Sequence, residues 1–383
     1  MEGCVMQKII LAPDSFKGTM RSIEICRIMK REAQKAFPGC EILSIPVADG
    51  GEGTVESMLA AAGGRRVRVT VQGPRSEPVE SFYGRLPGGK RAVIEMAAAA
   101  GLPMVKGCED PTVTTTYGVG MLMQHAVRKG AREILLGLGG SCTNDGGCGA
   151  AAALGVRFLD KKGNAFVPCG GTLEKIARID PEPARQALAG VRIRLMCDVD
   201  NPLYGEHGAA FVFGPQKGAD PAMVRRLDRG LRHLGRLLEP LCPGISQMPG
   251  AGAAGGMGAG MCALLGAELV SGIDGVLDTV GFEALLEGCD MVFTGEGRID
   301  GQSLRGKVIF GVCRRASARG VPVCAVVGDA LDRELGEASA RGLCAVFTTN
   351  RRAVPWKEAR KTAKTDLTHT VRSIFSFAAA LGK

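Results

Sequence analysis

The sequence KIILAPDSFKG occupies residues 8–18 and decides the fold class of this chain. Residues 8–11 form a short apolar run of the β type, and Pro13 and Gly18 then favour a loop. From residue 19 to residue 36, apolar side chains recur with helical spacing. The segment therefore predicts a strand, a loop and a helix in succession.

The same texture recurs further along the chain. Residues 41–47 predict a second strand, followed by a glycine-rich loop and a helix. Three more buried strands, separated by helices, are predicted at residues 291–293, 323–327 and 345–347, with the middle helix at about residues 303–319. Because strands alternate with helices, both chain ends predict an α/β fold with a parallel, doubly wound sheet.

The middle of the chain has a different texture. Short strands bordered by Pro and Gly are predicted at residues 67–71, 79–85 and 92–96, followed by longer helical stretches, which is typical of an α+β region. We therefore expect a discontinuous Rossmann-like domain from residues 1–72 and 287–383. Residues 73–286 would form an inserted α+β domain, with the active site in the cleft between the two.

The composition is that of a globular protein of about two domains. The 383 residues exceed what one hydrophobic core usually organises, and 45% of them are hydrophobic against 23% charged. No apolar stretch is long enough to span a bilayer, and the first residues lack the apolar segment of a secretion signal. The 14 cysteines form no CxxC pair. We expect a cytoplasmic protein with reduced thiols, no structural zinc and no membrane partner.

The formal charge of +9 does not indicate a nucleic-acid partner. Five arginines between residues 225 and 236 alternate with leucines at helical spacing, which predicts the solvent-exposed face of an amphipathic helix. Aromatic residues on which bases could stack are scarce, since the chain has one Trp and three Tyr. We therefore expect a solvent-exposed helix face rather than a nucleic-acid surface, and no nucleic-acid partner.

Five loops combine glycine with carboxylates, hydroxyls or a cation, and each falls between a predicted strand and a helix. They are PDSFKG at residues 13–18, ADGGEGT at 48–54, GLGGSCTNDGG at 137–147, CDVDNPLYG at 197–205 and TGEGRIDGQS at 294–303. The loop at 137–147 offers unobstructed backbone N–H groups and two hydroxyls before a helix, which is typical of a phosphate site. The alternative is a tight turn in which Asn and Asp cap the helix.

A sixth glycine-rich segment, PGAGAAGGMGAG at residues 249–260, lets a backbone approach a ligand or another helix closely, and both interpretations stay open. Its GAGAAG run matches a dinucleotide fingerprint, but no strand precedes it. The run GQSLRGK at residues 301–307 resembles a P-loop, yet Val308 stands where Ser or Thr is required. Neither run predicts the corresponding nucleotide site.

Carboxylates in these loops are candidates for Mg²⁺ coordination and for a catalytic base, although each one alone is more often a cap or turn residue. They are Asp14, Asp49, Glu52, Asp145, Asp198, Asp200, Glu296 and Asp300. The cations placed to hold phosphates or a substrate carboxylate are Lys17, Arg298 and Lys307, each of which could instead be a surface charge.

Taken together, the six glycine-rich motifs, in this order and spacing, resemble the type I glycerate kinase family over nearly the whole chain. The resemblance implies ATP-dependent phosphorylation of D-glycerate, generally to 2-phosphoglycerate, with two α/β domains and a site in the cleft between them. The chain departs from the family pattern at Cys142, Cys148 and the Val308-Ile309 pair.

Within that resemblance we assign roles to the loop residues. Ser141, Thr143, Asn144 and Gly146 would bind phosphate, with Glu296 also on the nucleotide. Asp198 and Asp200 would hold Mg²⁺. Lys17 and Arg298 would neutralise the γ-phosphate and the glycerate carboxylate. Asp49 is the favoured base at the substrate hydroxyl, with Asp14 in reserve.

Other functions stay open at this stage. One is a kinase that phosphorylates the 3-hydroxyl of glycerate or a related small hydroxy acid, which the sequence does not separate from the 2-hydroxyl reaction. Another is a non-catalytic nucleotide-binding regulator, although carboxylates in several loops argue against it. The sequence also leaves a homo-oligomer open.

Overall fold

The computed structural model describes residues 6–48, 50–299, 308–330 and 339–381. The chain divides into two compact units: Met1–Asp49, Glu56–Ala62 and Ser271–Lys383 form the first, and Gly50–Val55 and Gly63–Val270 form the second. Among the described helices, none is both long and apolar enough to cross a membrane.

The strands are numbered in chain order. They are β1 Lys8–Pro13, β2 Glu41–Ser44, β3 Arg65–Gln72, β4 Pro78–Arg85, β5 Arg91–Glu95, β6 Glu133–Gly137, β7 Arg157–Leu159, β8 Ala165–Phe166, β9 Arg178–Asp180, β10 Arg192–Met196, β11 Glu268–Val270, β12 Met291–Gly295, β13 Arg298–Ile299, β14 Val323–Val327, β15 Asp329–Ala330 and β16 Leu343–Thr348.

The α-helices are numbered in the same way. They are α1 Ser22–Ala36, α2 Thr54–Ala62, α3 Ala97–Ala100, α4 Tyr117–Arg128, α5 Cys148–Ala153, α6 Glu182–Ala187, α7 Ala209–Phe213, α8 Pro221–Leu238, α9 Ala253–Leu265, α10 Gly272–Val280, α11 Phe282–Leu285, α12 Val308–Ser317 and α13 Trp356–Leu381.

The first unit is built on a parallel five-stranded sheet in the order β16-β14-β12-β1-β2. From β1 the chain proceeds to β2 on one side, whereas β12, β14 and β16 extend the sheet on the other. The strand order therefore reverses between β1 and β12. The apolar residues of β1 are fully buried, as expected for a strand covered on both faces. The predicted α/β class and parallel sheet are confirmed at both chain ends.

Helices α1 and α13 pack together in the first unit. Ile25, Met29 and Ala33 recur every four residues on α1 and are buried. Phe375 of α13 lies edge-on to Phe293 of β12, with ring centroids 5.0 Å apart. These apolar contacts form the core that holds the C-terminal helix to the sheet.

The second unit contains a six-stranded sheet in the order β11-β10-β6-β5-β4-β3. Strands β3, β4 and β5 are antiparallel, which matches the predicted strands of the middle region, whereas β5, β6, β10 and β11 are parallel. The register aligns Glu95, Gly137, Met196 and Val270 across the parallel part. The loops that follow these strands therefore begin at one edge of the sheet.

Helix α8 begins at an N-terminal cap, where the Asp220 carboxylate accepts hydrogen bonds from Ala222 N at 2.7 Å and Met223 N at 2.8 Å. Four of its leucines, Leu227, Leu231, Leu234 and Leu238, are buried, and its five arginines are exposed. The predicted solvent-exposed face of this helix is confirmed.

The predicted domain boundaries, at 72/73 and 286/287, lie later in the chain than the boundaries of the two units. The reason is that β3 pairs with β4 in the second unit, while α10 and α11 belong to the first. The predicted domain arrangement and its cleft stay predictions.

Candidate active site

The loops that follow β1 and β12 lie side by side at the carboxyl edge of the first sheet. Asp14 N donates a hydrogen bond to Gly295 O at 2.8 Å, and Pro13 pairs with Gly295 in the strand register. The strand order reverses here, and open α/β sheets bind ligands at such reversal points. Four predicted site residues follow these two strands: Asp14, Lys17 and Glu296 lie on the loops, and Arg298 begins β13.

The side chains at this edge combine buried carboxylates with a cation. Asp14 and Glu296 are 8% and 6% exposed. The side chain of Arg298 is about half exposed, and its Nε lies 3.5 Å from Asp329 Oδ2. Carboxylates and a guanidinium at one strand edge suit binding of an anionic substrate and acceptance of a proton.

The loop at residues 48–54 is described except for one residue. Gly139 N donates to Gly50 O at 3.1 Å, and a Cβ on Gly50 would come within 3.0 Å of Met196 O. Glycine at position 50 therefore lets this backbone pack against the ends of β6 and β10. Three predicted candidates lie outside the described residues: Asp49, Asp300 and Lys307.

The loop at residues 137–147 connects β6 to α5 and is held by a buried lysine. Lys217 is 2% exposed, and its Nζ donates hydrogen bonds to Ser141 Oγ at 2.9 Å and to Thr143 O at 2.6 Å. Burial lowers the pKa of Lys217 to about 8. Thr114 Oγ1 donates to Cys142 O at 2.9 Å. Side chains from distant positions therefore fix the conformation of this loop.

Asp145 anchors the loop from within. Its Oδ2 accepts hydrogen bonds from Thr116 N and Thr116 Oγ1, both at 2.8 Å, and from Gly149 N at 3.2 Å. Gly147 N donates to Oδ1 at 3.0 Å. The residue is fully buried, and burial raises its pKa despite these donors. Asp145 thus joins the N-terminal ends of α4 and α5, and its carboxylate is not free to act as a base.

Polar side-chain atoms of the two residues before Asp145 have no hydrogen-bond partner among the described residues. Thr143 Oγ1 and both amide atoms of Asn144 are buried and make no hydrogen bond within the described residues. Buried polar groups in folded proteins usually have a partner, so these atoms indicate a place for a bound group or water. Gly146 N, in contrast, donates to Gly255 O at 3.0 Å.

The segment at residues 249–260 packs behind this loop. Gly255 has a φ of 71°, and a Cβ there would overlap Thr143 O and lie 2.6 Å from Asn144 Cα. A Cβ on Gly260 would overlap Gly146 O. Of the two open interpretations, close backbone packing is the one that the structure shows.

Asp198 and Asp200 follow β10 at the edge of the second sheet where the loop at residues 137–147 also begins. Leu138 N donates to Met196 O at 3.2 Å, so the two loops start from adjacent positions. Both carboxylates are exposed. The described part of the chain contains no group of three or more His, Cys, Asp or Glu side chains that could hold a metal ion. Mg²⁺ commonly takes one or two carboxylates and completes its shell with water and phosphate oxygens. The donor set of this loop therefore fits Mg²⁺ held together with a phosphorylated ligand.

Two buried charged residues were missed by the sequence prediction. Lys217 lies in the sequence GPQKGA at residues 214–219, where a single cation between glycines was the available signal. Glu95 ends β5, is 3% exposed and accepts a hydrogen bond from Val55 N at 2.6 Å, in the first turn of α2. The sequence signal that could have identified Glu95 is a charged residue directly after an apolar strand.

Comparison with known proteins covers almost the whole chain. A family model described as the glycerate kinase family matches residues 9–379. The chain belongs to the glycerate kinase family. The resemblance inferred from the motifs, and the predicted enzyme class of a phosphotransferase acting on a hydroxyl group, are thereby confirmed.

Individual glycerate kinases are similar over most of their length. Glycerate kinase of Bacillus cereus is 44% identical over 369 residues, which is 96% of this chain and 97% of the relative. Glycerate 2-kinase of Escherichia coli K12 is 44% identical over 343 residues, 89% of this chain and 90% of the relative. A crystal structure of a glycerate kinase 2 candidate from Salmonella typhimurium LT2 is 41% identical, with a TM-score of 0.86, and covers 98% of this chain and 99% of that one.

Proposed function

We propose that this chain transfers the γ-phosphoryl group of ATP to the 2-hydroxyl of D-glycerate, giving 2-phosphoglycerate and ADP. The observation that carries the proposal is the family match over residues 9–379. The E. coli relative named glycerate 2-kinase supports the position of transfer. Mg-ATP as phosphoryl donor and a cytoplasmic location belong to the same proposal.

In this proposal the loop at residues 137–147 binds nucleotide phosphates. The hydroxyls of Ser141 and Thr143 and the amide of Asn144 would donate to phosphate oxygens, and Gly146 would shape the turn. The unsatisfied atoms of Thr143 and Asn144 support this role. Glu296, which follows β12 of the first sheet, is also proposed to bind the nucleotide.

Asp198 and Asp200 would hold Mg²⁺ against the phosphates. Such an ion, when bound, neutralises charge on the β- and γ-phosphates as the bond to ADP breaks. The place of both carboxylates after β10, next to the start of the 137–147 loop, supports the assignment.

The residues of the first sheet would handle glycerate. Lys17 and Arg298 would neutralise its carboxylate and the transferred phosphoryl group. The hydroxyl oxygen attacks phosphorus while its proton passes to a carboxylate, and ADP leaves with the electrons of the broken P–O bond. Asp49 is the proposed base, and buried Asp14 is the alternative.

Release of ADP tests the proposal directly. With saturating Mg-ATP, D-glycerate should raise ADP formation far above the background rate, and L-glycerate and lactate serve as matched controls that keep the carboxylate and the hydroxyl. Folded protein whose ADP formation is indifferent to D-glycerate would rule the proposal out, and preference for another hydroxy acid would reassign the substrate.

A further inference from the structure

Lys217 is a charged residue that is buried in the interior of the second unit, and lysine side chains are rarely buried. It ends the short 3₁₀ helix Pro215–Lys217, and only 2% of its surface is exposed. Transfer of an ammonium group from water to a protein interior is costly unless a partner or ligand compensates the charge. The burial of Lys217 therefore requires an explanation.

The partners of Lys217 are neutral. Its Nζ donates to the Ser141 hydroxyl and the Thr143 carbonyl, and no carboxylate of the described residues forms an ion pair with it. Asp145 lies near enough to influence the charge, but its oxygens already accept hydrogen bonds from Thr116 and two glycine N–H groups. The positive charge of Lys217 is thus left without an anionic partner.

Unsatisfied groups lie on the segment that Lys217 holds. Thr143 Oγ1 and Asn144 Nδ2 are buried donors without an acceptor among the described residues. An ammonium group, together with two unused donors on the segment that it holds, is the complement of an anion with several acceptor oxygens, which is the chemistry of a phosphate. Asn144 Oδ1 is also a buried acceptor without a donor among the described residues, but it carries no charge, and neither Thr143 nor Asn144 has a carboxylate that would favour a cation.

We propose that Lys217 is a positioning residue for the nucleotide phosphates: it fixes the Ser141–Thr143 backbone and supplies the positive charge that a bound triphosphate neutralises. The inference rests on the proposed function, because that function names the triphosphate as the anion.

A dependence of nucleotide binding on pH follows. Burial lowers the pKa of Lys217 from 10.5 to about 8, and an anion beside the ammonium group would raise it again. The other titratable groups that act on its charge are Cys142 and Asp145, and Glu109 packs against the neighbouring Gly218. Burial raises the pKa of Cys142 to about 12, so this thiol stays neutral where Lys217 titrates. Binding should therefore take up a proton near pH 8, and affinity should fall as pH rises above it.

Calorimetry of Mg-ATP binding to the whole protein, without glycerate, measures this proton. Titrations near pH 8 in two buffers of different ionisation enthalpy should show uptake of about half a proton per nucleotide. The phosphates are already ionised there, since their second pKa is about 6. Binding without proton uptake would overturn the inference, and this result needs no variant that must fold.

Variants assign the proton to Lys217. Lys217→Arg keeps the charge at all these pH values, so uptake and the alkaline loss of affinity should vanish. Lys217→Met should weaken Mg-ATP binding by about 10- to 100-fold at neutral pH and leave the KM for D-glycerate nearly unchanged. The control is Arg194→Met, which removes another buried cation, on β10, 3.7 Å from Glu133. It should keep both the affinity and the proton uptake, and unchanged proton uptake in folded Lys217→Arg would contradict the assignment.

Failure of this inference and failure of the proposed function look different. Glycerate-dependent ADP release with no proton uptake leaves the kinase function standing and removes Lys217 from the phosphate site. Proton uptake without glycerate-dependent ADP release supports Lys217 and removes glycerate as the substrate.

Discussion

At the scale of single residues, environment decides what a carboxylate can do. Asp145 and Asp198 both stand in glycine-rich loops after parallel strands, and the loop pattern by itself made both of them candidates; only the family resemblance favoured Asp198 for the metal. The structure separates them, because Asp145 is enclosed by hydrogen-bond donors and Asp198 is exposed. We therefore expect structural damage from changes at the first position and loss of catalysis at the second.

Asp198→Asn tests the proposed metal role. Removal of one carboxylate charge should lower kcat at limiting Mg²⁺ by at least about 10-fold, because even the loss of a residue that only hydrogen-bonds to a metal ligand has an effect of this size. The unfolding midpoint should stay unchanged. Glu206→Gln is the control, since Glu206 is an exposed carboxylate in the same chain segment. An Asp198→Asn enzyme with wild-type kcat and Mg²⁺ dependence would remove this residue from the metal site.

The sequence indicated which loops carry polar residues, but not which side chains those loops enclose. Lys217 was missed because its burial arises from contact with Ser141 and Thr143, far away in the chain. Spacing rules detect neighbours on one helix or strand, whereas this contact exists only after the loop and the 3₁₀ helix have packed together.

At the scale of secondary-structure elements, the glycines of residues 249–260 determine how closely α9 approaches the loop at residues 137–147. In Gly255→Ala the added methyl would overlap Thr143 O, whereas at Gly266, which also has a positive φ, no atom lies within 4 Å. Both variants suffer the strain of a left-handed alanine, about 1–2 kcal/mol. Gly255→Ala should lose about 1–3 kcal/mol more and bind Mg-ATP more weakly.

Urea unfolding and nucleotide titration of the two variants check this expectation. Equal losses of stability at both positions, with nucleotide affinity preserved, would show that the close packing does not support the loop.

Helices α1 and α13 are joined by a buried carboxylate. Glu32 is 2% exposed and accepts hydrogen bonds from Arg372 at 2.9 Å and from Lys35 and Arg31 at 3.0 Å. Burial opposes ionisation, but these donors outweigh it and lower the pKa of Glu32 to about 2. Glu32→Gln should reduce the free energy of unfolding by about 2 kcal/mol at neutral pH.

The pH dependence of this loss has a definite sign. Because the folded pKa lies below the ordinary 4.5, the contribution is present above pH 4.5 and disappears as pH falls towards 2. The stability gap between wild type and Glu32→Gln should therefore narrow progressively as pH falls from about 4.5 towards about 2. Glu24→Gln is the control, since Glu24 also pairs across the two helices, with its Oε1 2.8 Å from Lys364 Nζ, but is more exposed than Glu32. This substitution should reduce the free energy of unfolding by less than about 1 kcal/mol. A gap that is independent of pH would contradict this interpretation.

Strands with continuous apolar runs were the most predictable elements. Residues 323–327 were predicted as a strand, and β14 has the same bounds. The small sheet of β7, β8 and β9 was not predicted, because strands of two or three residues are too short for any periodicity to show. The first part of the predicted helix at residues 303–319 lies outside the described residues, and α12 accounts for the rest.

At the scale of the whole molecule, strand–helix alternation at the two chain ends predicted one parallel sheet, and the pairing of β1 with β12 confirms it. The alternation could be recognised because buried parallel strands and amphipathic helices have different periods. The sequence could not show where one unit ends and the next begins, since the division depends on which strands pair, and β3 pairs with β4 in the second unit. The domain division and a homo-oligomer stay predictions.

The central claim is that the chain phosphorylates the 2-hydroxyl of D-glycerate. Phosphorus NMR of the product formed from D-glycerate and Mg-ATP tests it most directly, because the phosphate of 2-phosphoglycerate is attached to a secondary carbon and that of 3-phosphoglycerate to a primary carbon, which gives different proton couplings. We predict ADP and 2-phosphoglycerate in equal amounts. A product phosphorylated at the 3-hydroxyl, or no phosphoglycerate at all from folded protein, would contradict the account.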